Sequence, residues 1–175
     1  MKKKIFVLFA VVCVIFFVLI LVLNVFVFPR KYKNYVVAYS EEYGLETSLV
    51  YAVIKAESDF DKNAVSPSGA LGLMQLLPST AKWIAEELGE FYEDSFMFNE
   101  DVNIRYGCFY LKYLFDKFGD TDTVICAYNA GETKVREWLE NGRVVIDKID
   151  YLETKTYLKR VKGFYNIYKN EYLYI

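Results

Sequence analysis

The sequence predicts a mainly α-helical domain with minimal strand content, preceded by one transmembrane helix. Beyond residue 29, apolar residues recur every three or four positions, which is the spacing of helices that bury one face. Strand signals are weak there except at 143–146, and a long apolar run occupies 5–28. Because 54% of the residues are apolar and 25% are charged, the chain can bury a core and is not disordered.

The apolar run at 5–28 is interrupted only by Asn24. At about 1.5 Å per residue, a helix of this length spans roughly 36 Å, which exceeds the bilayer core of about 30 Å. The run ends in bulky residues and Pro29 instead of the small residues of a signal-peptidase site. We therefore predict an uncleaved anchor, with a cleaved signal peptide or a buried core helix as alternatives. Equal numbers of basic residues flank the run, so charge leaves its orientation open.

Residues 29–175 are predicted to form a single domain without internal repeats. Pro78 suits the first position of a helix, and Gly89 and Gly119 are suited to end helices. Segment 59–75 contains too much glycine, serine and proline to be one helix. Amphipathic spacing and these boundaries predict helices at about 46–58, 78–88, 99 or 101 to 118, 121–128, 131–139 and from 153 onward.

The composition excludes several reaction classes, because histidine is absent. The chain therefore has no Ser-His-Asp or Cys-His nucleophile pair and no HExxH metallopeptidase motif, and zinc sites lose their commonest nitrogen ligand. The 21 basic and 23 acidic residues give a net charge of −2, and three of the lysines precede the apolar run. An acidic domain disfavours a nucleic-acid partner. Any chemistry has to rest on carboxylates, hydroxyls, amides or tyrosines.

Two cysteines, Cys108 and Cys126, follow the apolar run. Each lies in an apolar context at helical spacing, which favours buried free thiols. A bridge between them is the alternative, because sequence alone does not decide pairing.

Glu57 is the first candidate for acid–base chemistry. It follows Val50 by seven residues and Val53 by four, which places it on the apolar face of the helix predicted at 46–58. A carboxyl on a core-facing stripe is desolvated, and desolvation raises its pKa so that it keeps a proton near neutral pH. The alternative is a glutamate at a helix end that turns toward solvent.

Two further segments supply polar groups that suit sugar hydroxyls and N-acetyl groups. Segment 66–75 contains two glycines, which let the backbone approach a ligand closely, and ends in Gln75, whose amide both donates and accepts hydrogen bonds. Segment 127–131, Ala-Tyr-Asn-Ala-Gly, supplies a phenol and an amide from Tyr128 and Asn129. Taken singly, the first segment could be an ordinary turn and the second a helix end with glycine at the C-cap.

In combination, these residues resemble the lytic transglycosylase family. The resemblance covers about 35–168, and each of its pieces is weak alone but the ordered set is highly specific. The pieces are Glu57-Ser58, 66–75 ending in Gly-Leu-Met-Gln, 103–107 (Asn-Ile-Arg-Tyr-Gly), 127–131, and Glu153-Thr154 with Tyr157. The resemblance implies a lysozyme-like α+β fold related to goose-type lysozyme.

The resemblance also implies a role for each candidate residue. Glu57 matches the acid that protonates the glycosidic oxygen between N-acetylmuramic acid and N-acetylglucosamine and then takes the C6 hydroxyl proton, which closes a 1,6-anhydro ring. This reaction uses neither water nor a metal, so we expect no metal site and no cofactor. Leu77 stands where some members have a methionine that lines the saccharide cleft, so this difference affects the contacts of a subsite and not catalysis. Segment 103–107 is assigned to packing. The residues that match substrate-binding positions are Ser66, Gln75, Leu77, Tyr128, Asn129 and Glu153.

The resulting prediction is a membrane-anchored peptidoglycan lytic transglycosylase. Its partners are peptidoglycan glycan strands and, through the amino-terminal helix, the lipid bilayer, while no protein partner is indicated. Because the substrate lies outside the bacterial cytoplasmic membrane, we expect a cytoplasmic tail at 1–4, a single-pass anchor at 5–28 and an extracytoplasmic catalytic domain at 29–175.

Two alternatives for the function stay open. One is a muramidase of the same fold, in which water attacks and reducing ends result. The other is a wall-binding module of a secretion, conjugation or sporulation apparatus. Most aromatic residues are at helical spacing and are predicted to be core, so the sequence predicts no sugar-stacking platform beyond Tyr128.

Overall fold

The computed structural model describes residues 2–170, without the side chains of residues 2, 5, 8 and 20–25. The chain divides after Lys31 into two compact units, and the first contains helix α1, Lys2–Val27. The anchor predicted at 5–28 includes side chains outside the described set. Within the described residues, no helix is both long enough and apolar enough to cross a membrane.

The second unit is mainly helical, as predicted. Its described α-helices are α2 Lys33–Glu42, α3 Thr47–Ser58, α4 Pro78–Leu88, α5 Glu100–Phe118, α6 Thr121–Ala130, α7 Glu132–Glu137 and α8 Leu152–Asn170. Short 3₁₀ helices occupy Asp94–Phe98 and Ile146–Lys148. Strands β1, Leu139–Glu140, and β2, Arg143–Val144, form an antiparallel hairpin in which Leu139 pairs with Val144.

Most predicted helices are confirmed, and α3, α4, α5, α6 and α8 all lie within two residues of their predicted bounds. The helix predicted at 131–139 is shorter, because Leu139 pairs in the hairpin. The strand signal at 143–146 corresponds to the two-residue β2. Helix α2 has no predicted counterpart, since only Val36 and Ser40 among its residues are buried and no apolar stripe marks it.

Capping side chains determine where α5 and α6 begin. Asn99 Oδ1 accepts hydrogen bonds from the backbone N–H groups of Asp101 at 2.9 Å and Val102 at 3.2 Å. Asp120 Oδ2 accepts from the backbone N–H of Thr123 at 3.1 Å. The N–H groups of a first helical turn have no partner within the helix, so these side chains stabilise both starts.

Helix α3 lies in the core, and this position brings its last turn to the site. Residues 48–54 are all buried, and α3 packs most extensively against α8. A helix segment buried on every side has no room for ionised groups. The charged residues of α3, Lys55 and Glu57, accordingly follow the buried segment and lie toward the end of the helix.

Asn103 and Gly107 on α5 hold the glycine-bearing loop against the core, which confirms their assignment to packing. The buried Asn103 side chain accepts a 2.8 Å hydrogen bond from the Met74 backbone N–H at Oδ1 and donates through Nδ2 to the carbonyls of Leu71 at 3.0 Å and Met97 at 2.9 Å. A Cβ built on Gly107 would lie 2.2 Å from Met74 Sδ. Only glycine therefore lets Met74 pack onto α5.

Replacing Gly107 with alanine is expected to lower the free energy of unfolding by about 1–3 kcal/mol, because the added methyl overpacks the contact with Met74. The matched control is Gly163→Ala on α8, where an added Cβ meets no atom within 4 Å. That change is expected to raise the stability by up to about 1 kcal/mol through the helix propensity of alanine. Urea unfolding followed by circular dichroism measures both. Equal effects of the two substitutions would contradict the packing role.

Candidate active site

Glu57 is half-buried in the last turn of α3, where the helix reaches a cleft. Burial raises the pKa of its carboxyl to about 7, in agreement with its predicted position on the apolar face. The Tyr157 hydroxyl donates a 2.6 Å hydrogen bond to Glu57 Oε1. This bond and the positive charge of Arg160 oppose the rise in pKa, whereas the negative charge of Glu153 adds to it. Near neutral pH, Glu57 can therefore both give and take a proton.

The glycine-bearing loop beside Glu57 is held by side chains from three helices. The Asn103 side chain of α5 is the first of them. Ser58 Oγ at the end of α3 donates to the Leu73 carbonyl at 2.8 Å. The Tyr128 hydroxyl of α6 donates to the Met74 carbonyl at 2.8 Å. Burial, and next the charge of Glu57, hold the pKa of Tyr128 well above its usual range, so this hydroxyl remains a donor. Tyr128 thus fixes the loop and is not hydrogen-bonded to Glu57.

Ser66 and Gln75 direct polar atoms into their own loop. Ser66 Oγ accepts a hydrogen bond from the backbone N–H of Ala70 at 3.0 Å. Gln75 Nε2 donates to the carbonyls of Gly72 at 2.7 Å and Ala64 at 3.1 Å. Because both amide hydrogens of Gln75 are used within the loop, its Oε1 atom is the group that remains available to a ligand. Gln75 also adopts a φ of 49°, a left-handed conformation that is uncommon for residues other than glycine.

Asn129 and Glu153 lie where α6 ends and α8 begins. The buried Thr154 donates a 2.9 Å hydrogen bond from Oγ1 to Asn129 Oδ1, which joins the two helix ends. This bond leaves the amide nitrogen of Asn129 as a donor for a ligand. Glu153 is exposed. The cleft is therefore bounded at this point by one amide donor and one carboxylate.

A single cleft of about 550 Å³ brings the predicted site residues together. Its volume lies in the range of ligand pockets. All seven residues singled out from the sequence line it: Glu57, Ser66, Gln75, Leu77, Tyr128, Asn129 and Glu153. Leu77 is 42% exposed and supplies an apolar surface.

Two residues that border Glu57 were not among the predicted site residues. A second cavity of about 390 Å³ shares Glu57, Asn129 and Glu153 with the main cleft and adds Tyr157 and Arg160 to its lining. Tyr157 belongs to one of the motifs that resemble the lytic transglycosylase family. Its position one turn after Glu153 did not indicate that its hydroxyl bonds to Glu57. Arg160 follows Glu153 by seven residues, so helical spacing could have placed it on the same face.

Near the cleft, several aromatic residues line cavities, although the sequence predicted most aromatic residues to be core. Tyr110 lines the cleft, and its ring centroid lies 5.4 Å from that of Tyr128. Together with Trp83 and Tyr113, Tyr110 also lines an adjoining cavity of about 310 Å³. These rings recur at the spacing of buried residues on α4 and α5. Spacing alone therefore does not separate a cleft aromatic from a core one.

Cysteine and carboxylate side chains form no metal centre among the residues described. No group of three or more potential ligands comes together there. Cys108 and Cys126 are free and buried, as their apolar context favours. Burial raises the pKa of Cys126 to about 12, so this thiol stays protonated near neutral pH.

Comparison with known families agrees with this geometry. Residues 34–149 match the family model described as the Transglycosylase SLT domain. The chain belongs to this family. Membership confirms the resemblance to lytic transglycosylases, and the matched region includes α3, the glycine-bearing loop and the end of α6, while α8 lies beyond it.

Individual SLT-family proteins resemble the chain over most of its length. The soluble lytic murein transglycosylase of Salmonella typhimurium is 30% identical over 152 residues, covering 82% of this chain and 24% of the relative. The membrane-bound lytic murein transglycosylase C of Glaesserella parasuis is 32% identical over 136 residues, covering 71% and 37%. The structure of an inactive mutant of the lytic transglycosylase Slt from Pseudomonas aeruginosa matches with a TM-score of 0.76 at 33% identity, covering 82% and 25%. The chain thus spans 24–37% of the length of these proteins.

Replacing Glu57 with glutamine is expected to stabilise the fold at pH 8 but not at pH 4. Its carboxyl pKa rises from 4.5 to about 7 on folding, so stability is lost as the pH increases between these values. Above this window, the desolvated charge costs about 3 kcal/mol. At pH 4 the carboxyl is largely protonated in both states, and the substitution has little effect.

Urea unfolding at the two pH values measures this difference. Glu87→Gln, which changes an exposed glutamate of α4, is the matched control. A pH-dependent gain in the control as large as that of Glu57→Gln would contradict desolvation at Glu57 as the cause.

Proposed function

We propose that this SLT domain is a peptidoglycan lytic transglycosylase that cleaves the β-1,4 bond between N-acetylmuramic acid and N-acetylglucosamine. The observation that carries the proposal is Glu57, a half-buried carboxyl with a pKa of about 7 in the wall of a polar cleft. A general acid works best when its pKa lies near the working pH. The similar Slt protein of Pseudomonas aeruginosa is described as an inactive mutant in which a glutamate is replaced by glutamine.

The proposed reaction uses Glu57 twice. Its carboxyl first protonates the glycosidic oxygen as the bond from that oxygen to C1 breaks, and the N-acetyl oxygen of the muramic acid stabilises C1. The resulting carboxylate then removes the proton from the C6 hydroxyl, whose oxygen bonds to C1 and closes the 1,6-anhydro ring. Glu57 ends protonated, and no water is consumed. A pKa near 7 suits both steps, because neither protonation state is strongly favoured.

The neighbouring residues position Glu57 and the substrate. Tyr157 holds one carboxyl oxygen of Glu57, which leaves the other for the substrate. The substrate-binding set consists of Ser66, Gln75, Leu77, Tyr128, Asn129 and Glu153. In this set, the Gln75 Oε1 atom accepts from a sugar hydroxyl, and the Asn129 amide donates.

The products of the reaction test the proposal. Muropeptides released from purified glycan strands are expected to carry 1,6-anhydro ends, which borohydride does not reduce because they lack a free anomeric carbon. Glu57→Gln is expected to lower turnover by at least the roughly 10²–10⁴-fold that general acid–base catalysis supplies. Mass spectrometry of the products and release rates from the strands provide both measurements.

Two control variants separate the acid from its neighbours. Tyr128→Phe is expected to cause a smaller loss, since it removes a bond to the loop and leaves proton transfer in place. Glu153→Gln distinguishes one carboxylate from two, because an equal loss in a folded variant would indicate a second catalytic carboxylate. Mainly reducible products would favour a muramidase, and no release from any wall preparation would favour a wall-binding module.

The proposal includes a single-pass anchor at 5–28, with residues 1–4 in the cytoplasm and the catalytic domain at 29–175 on the wall side of the bacterial cytoplasmic membrane. The apolar run supports it, and described side chains of α1 such as Phe6 and Phe9 are exposed. Some similar proteins are named membrane-bound. The side of the membrane follows from the location of peptidoglycan.

Membrane fractionation tests the anchor. The chain is expected to stay with membranes in a high-salt wash and to be released by detergent, because apolar burial does not weaken with salt as surface charge pairing does. Protease added to intact protoplasts should digest the domain. Release by salt would contradict the anchor, and protection from protease would contradict the wall-side location.

A further inference from the structure

Helix α8 concentrates basic residues in a domain that is acidic as a whole. Beyond the apolar run, the chain has 18 basic and 23 acidic residues, which give a net charge of −5. Helix α8, Leu152–Asn170, nevertheless contains five basic residues and one acidic residue, Glu153. This helix is therefore a local exception to the charge of the domain.

Four of these basic residues form one line along α8. They are Lys155, Lys159, Lys162 and Lys169, at intervals of four, three and seven residues. At 3.6 residues per turn, they lie within a sector of about 80° and extend over roughly 21 Å of the helix. The exposed Asn166 fills the gap before the last of them at the same spacing. These four lysines are called the basic stripe.

The first half of the basic stripe carries uncompensated charge. Lys155 is half-buried and Lys159 is exposed, and neither forms a salt bridge with any residue that the structure describes. The other two lysines pair with Asp122 at 2.6 Å and with Glu46 at 3.0 Å, but their side chains remain 46% and 55% exposed. The stripe therefore offers two free cations and two partly neutralised ones to a ligand in solution.

The basic stripe faces away from the cavities that meet at Glu57. Glu153 and Arg160 line the second cavity, and both lie about 150° around α8 from the centre of the stripe. The stripe and the lining of the cavity thus occupy opposite sides of one helix. A ligand that extends along the stripe leaves the cleft open.

The partner that fits the basic stripe is an extended anionic surface. A compact anion reaches only one or two lysines of a line about 21 Å long, whereas a bilayer with acidic phospholipids presents phosphates along all of it. Residues 29–32 are all that separates the apolar run from α2 at Lys33, and four residues span at most about 14 Å. The proposed anchor would therefore keep the domain close to a bilayer.

We propose that the basic stripe docks the domain on an anionic bilayer surface, with Lys155 and Lys159 as the main contacts and the cleft turned away from the lipid. The inference rests on the anchor in the proposed function, which brings the domain to a bilayer. Lysines near such a surface are attracted to it, while the net negative charge of the domain disfavours other contacts. Docking in this way presents the cleft to glycan strands instead of to headgroups.

Lysine acylation measures the docking. The 175-residue chain is reconstituted in vesicles of phosphatidylcholine, alone or mixed with phosphatidylglycerol, and an uncharged acylating reagent is added. Two unpaired lysines at an anionic surface favour the docked orientation roughly 30-fold. Mass spectrometry is therefore expected to show acylation of Lys155 and Lys159 at least about tenfold slower on the anionic vesicles, and high salt is expected to remove the difference. The exposed Lys82 on α4 should react equally on both.

Matched double variants assign the docking to the basic stripe. Lys155→Gln with Lys159→Gln is expected to abolish the protection, so that Lys162 reacts as fast on anionic as on neutral vesicles. Lys62→Gln with Lys82→Gln removes the same charge from the loop after α3 and from α4, and is expected to keep the protection. The comparison shows whether net charge alone attracts the domain.

The outcomes separate this inference from the anchor. If the chain stays on neutral vesicles in high salt but its lysines react equally on both kinds of vesicle, the inference is wrong and the anchor stands. If salt releases the chain from neutral vesicles, the anchor fails, and protection confined to anionic vesicles supports docking by the stripe alone. Protection that survives the first double variant, or is lost in the second, overturns the role of the stripe.

Two further results would overturn parts of the inference. Protection by inorganic polyphosphate in detergent, without protection on anionic vesicles, would assign the basic stripe to a soluble polyanion. Slower cleavage of added glycan strands by the native chain than by the variant lacking Lys155 and Lys159, both on anionic vesicles, would show that docking covers the cleft. Equal rates are expected, because the stripe and the cleft lie on opposite sides of α8.

Discussion

The 2.6 Å hydrogen bond from Tyr157 to Glu57 joins the last turn of α3 to α8, and the arrangement of the site depends on it. Tyr157 is buried in the same interface that forms much of the core, so the packing of α3 against α8 also orients the carboxyl. Burial raises the pKa of Glu57, while the hydrogen bond limits the rise. Burial is the larger effect, so the pKa is raised, and the hydrogen bond keeps the group ionisable near pH 7.

The loop opposite Glu57 is ordered by side chains, since it has little secondary structure of its own. Asn103 holds the Leu71 carbonyl and the Met74 N–H, while Ser58 and Tyr128 hold the carbonyls of Leu73 and Met74. Buried backbone groups without partners are costly, so each of these side chains stabilises a loop conformation that the backbone alone would not maintain. Family-like motifs scattered along the sequence therefore converge on one loop.

The two cavities that meet at Glu57 share their carboxyls and differ in a cation. Glu57 and Glu153 line both cavities, whereas Arg160 lines the second cavity and not the main cleft. Placing the carboxyl at the junction exposes it to fields of opposite sign, from Glu153 and from Arg160. Because these two residues lie on one face of α8, the orientation of a single helix places both charges near Glu57, where they add to the larger effects of burial and the Tyr157 bond.

The sequence by itself determined the helices that carry strong apolar stripes and recognisable ends. It also predicted a desolvated carboxyl at Glu57, because an acid on an apolar stripe is visible in the spacing of Val50 and Val53. Helix α2 was not predicted, because only two of its residues are buried and they form no apolar stripe. Helix α7 was predicted too long, because the pairing of Leu139 with Val144 is a contact between two strands that helical spacing does not show.

Only the tertiary structure decided which side chains meet. The Tyr157 bond to Glu57 spans 100 residues, and Tyr110 and Tyr157 have the same helical spacing as core aromatics. The structure also showed that Gln75 uses its amide hydrogens within its own loop. The physical reason is that periodicity reports which face of one helix is buried, whereas a site forms where the faces and ends of several helices pack together.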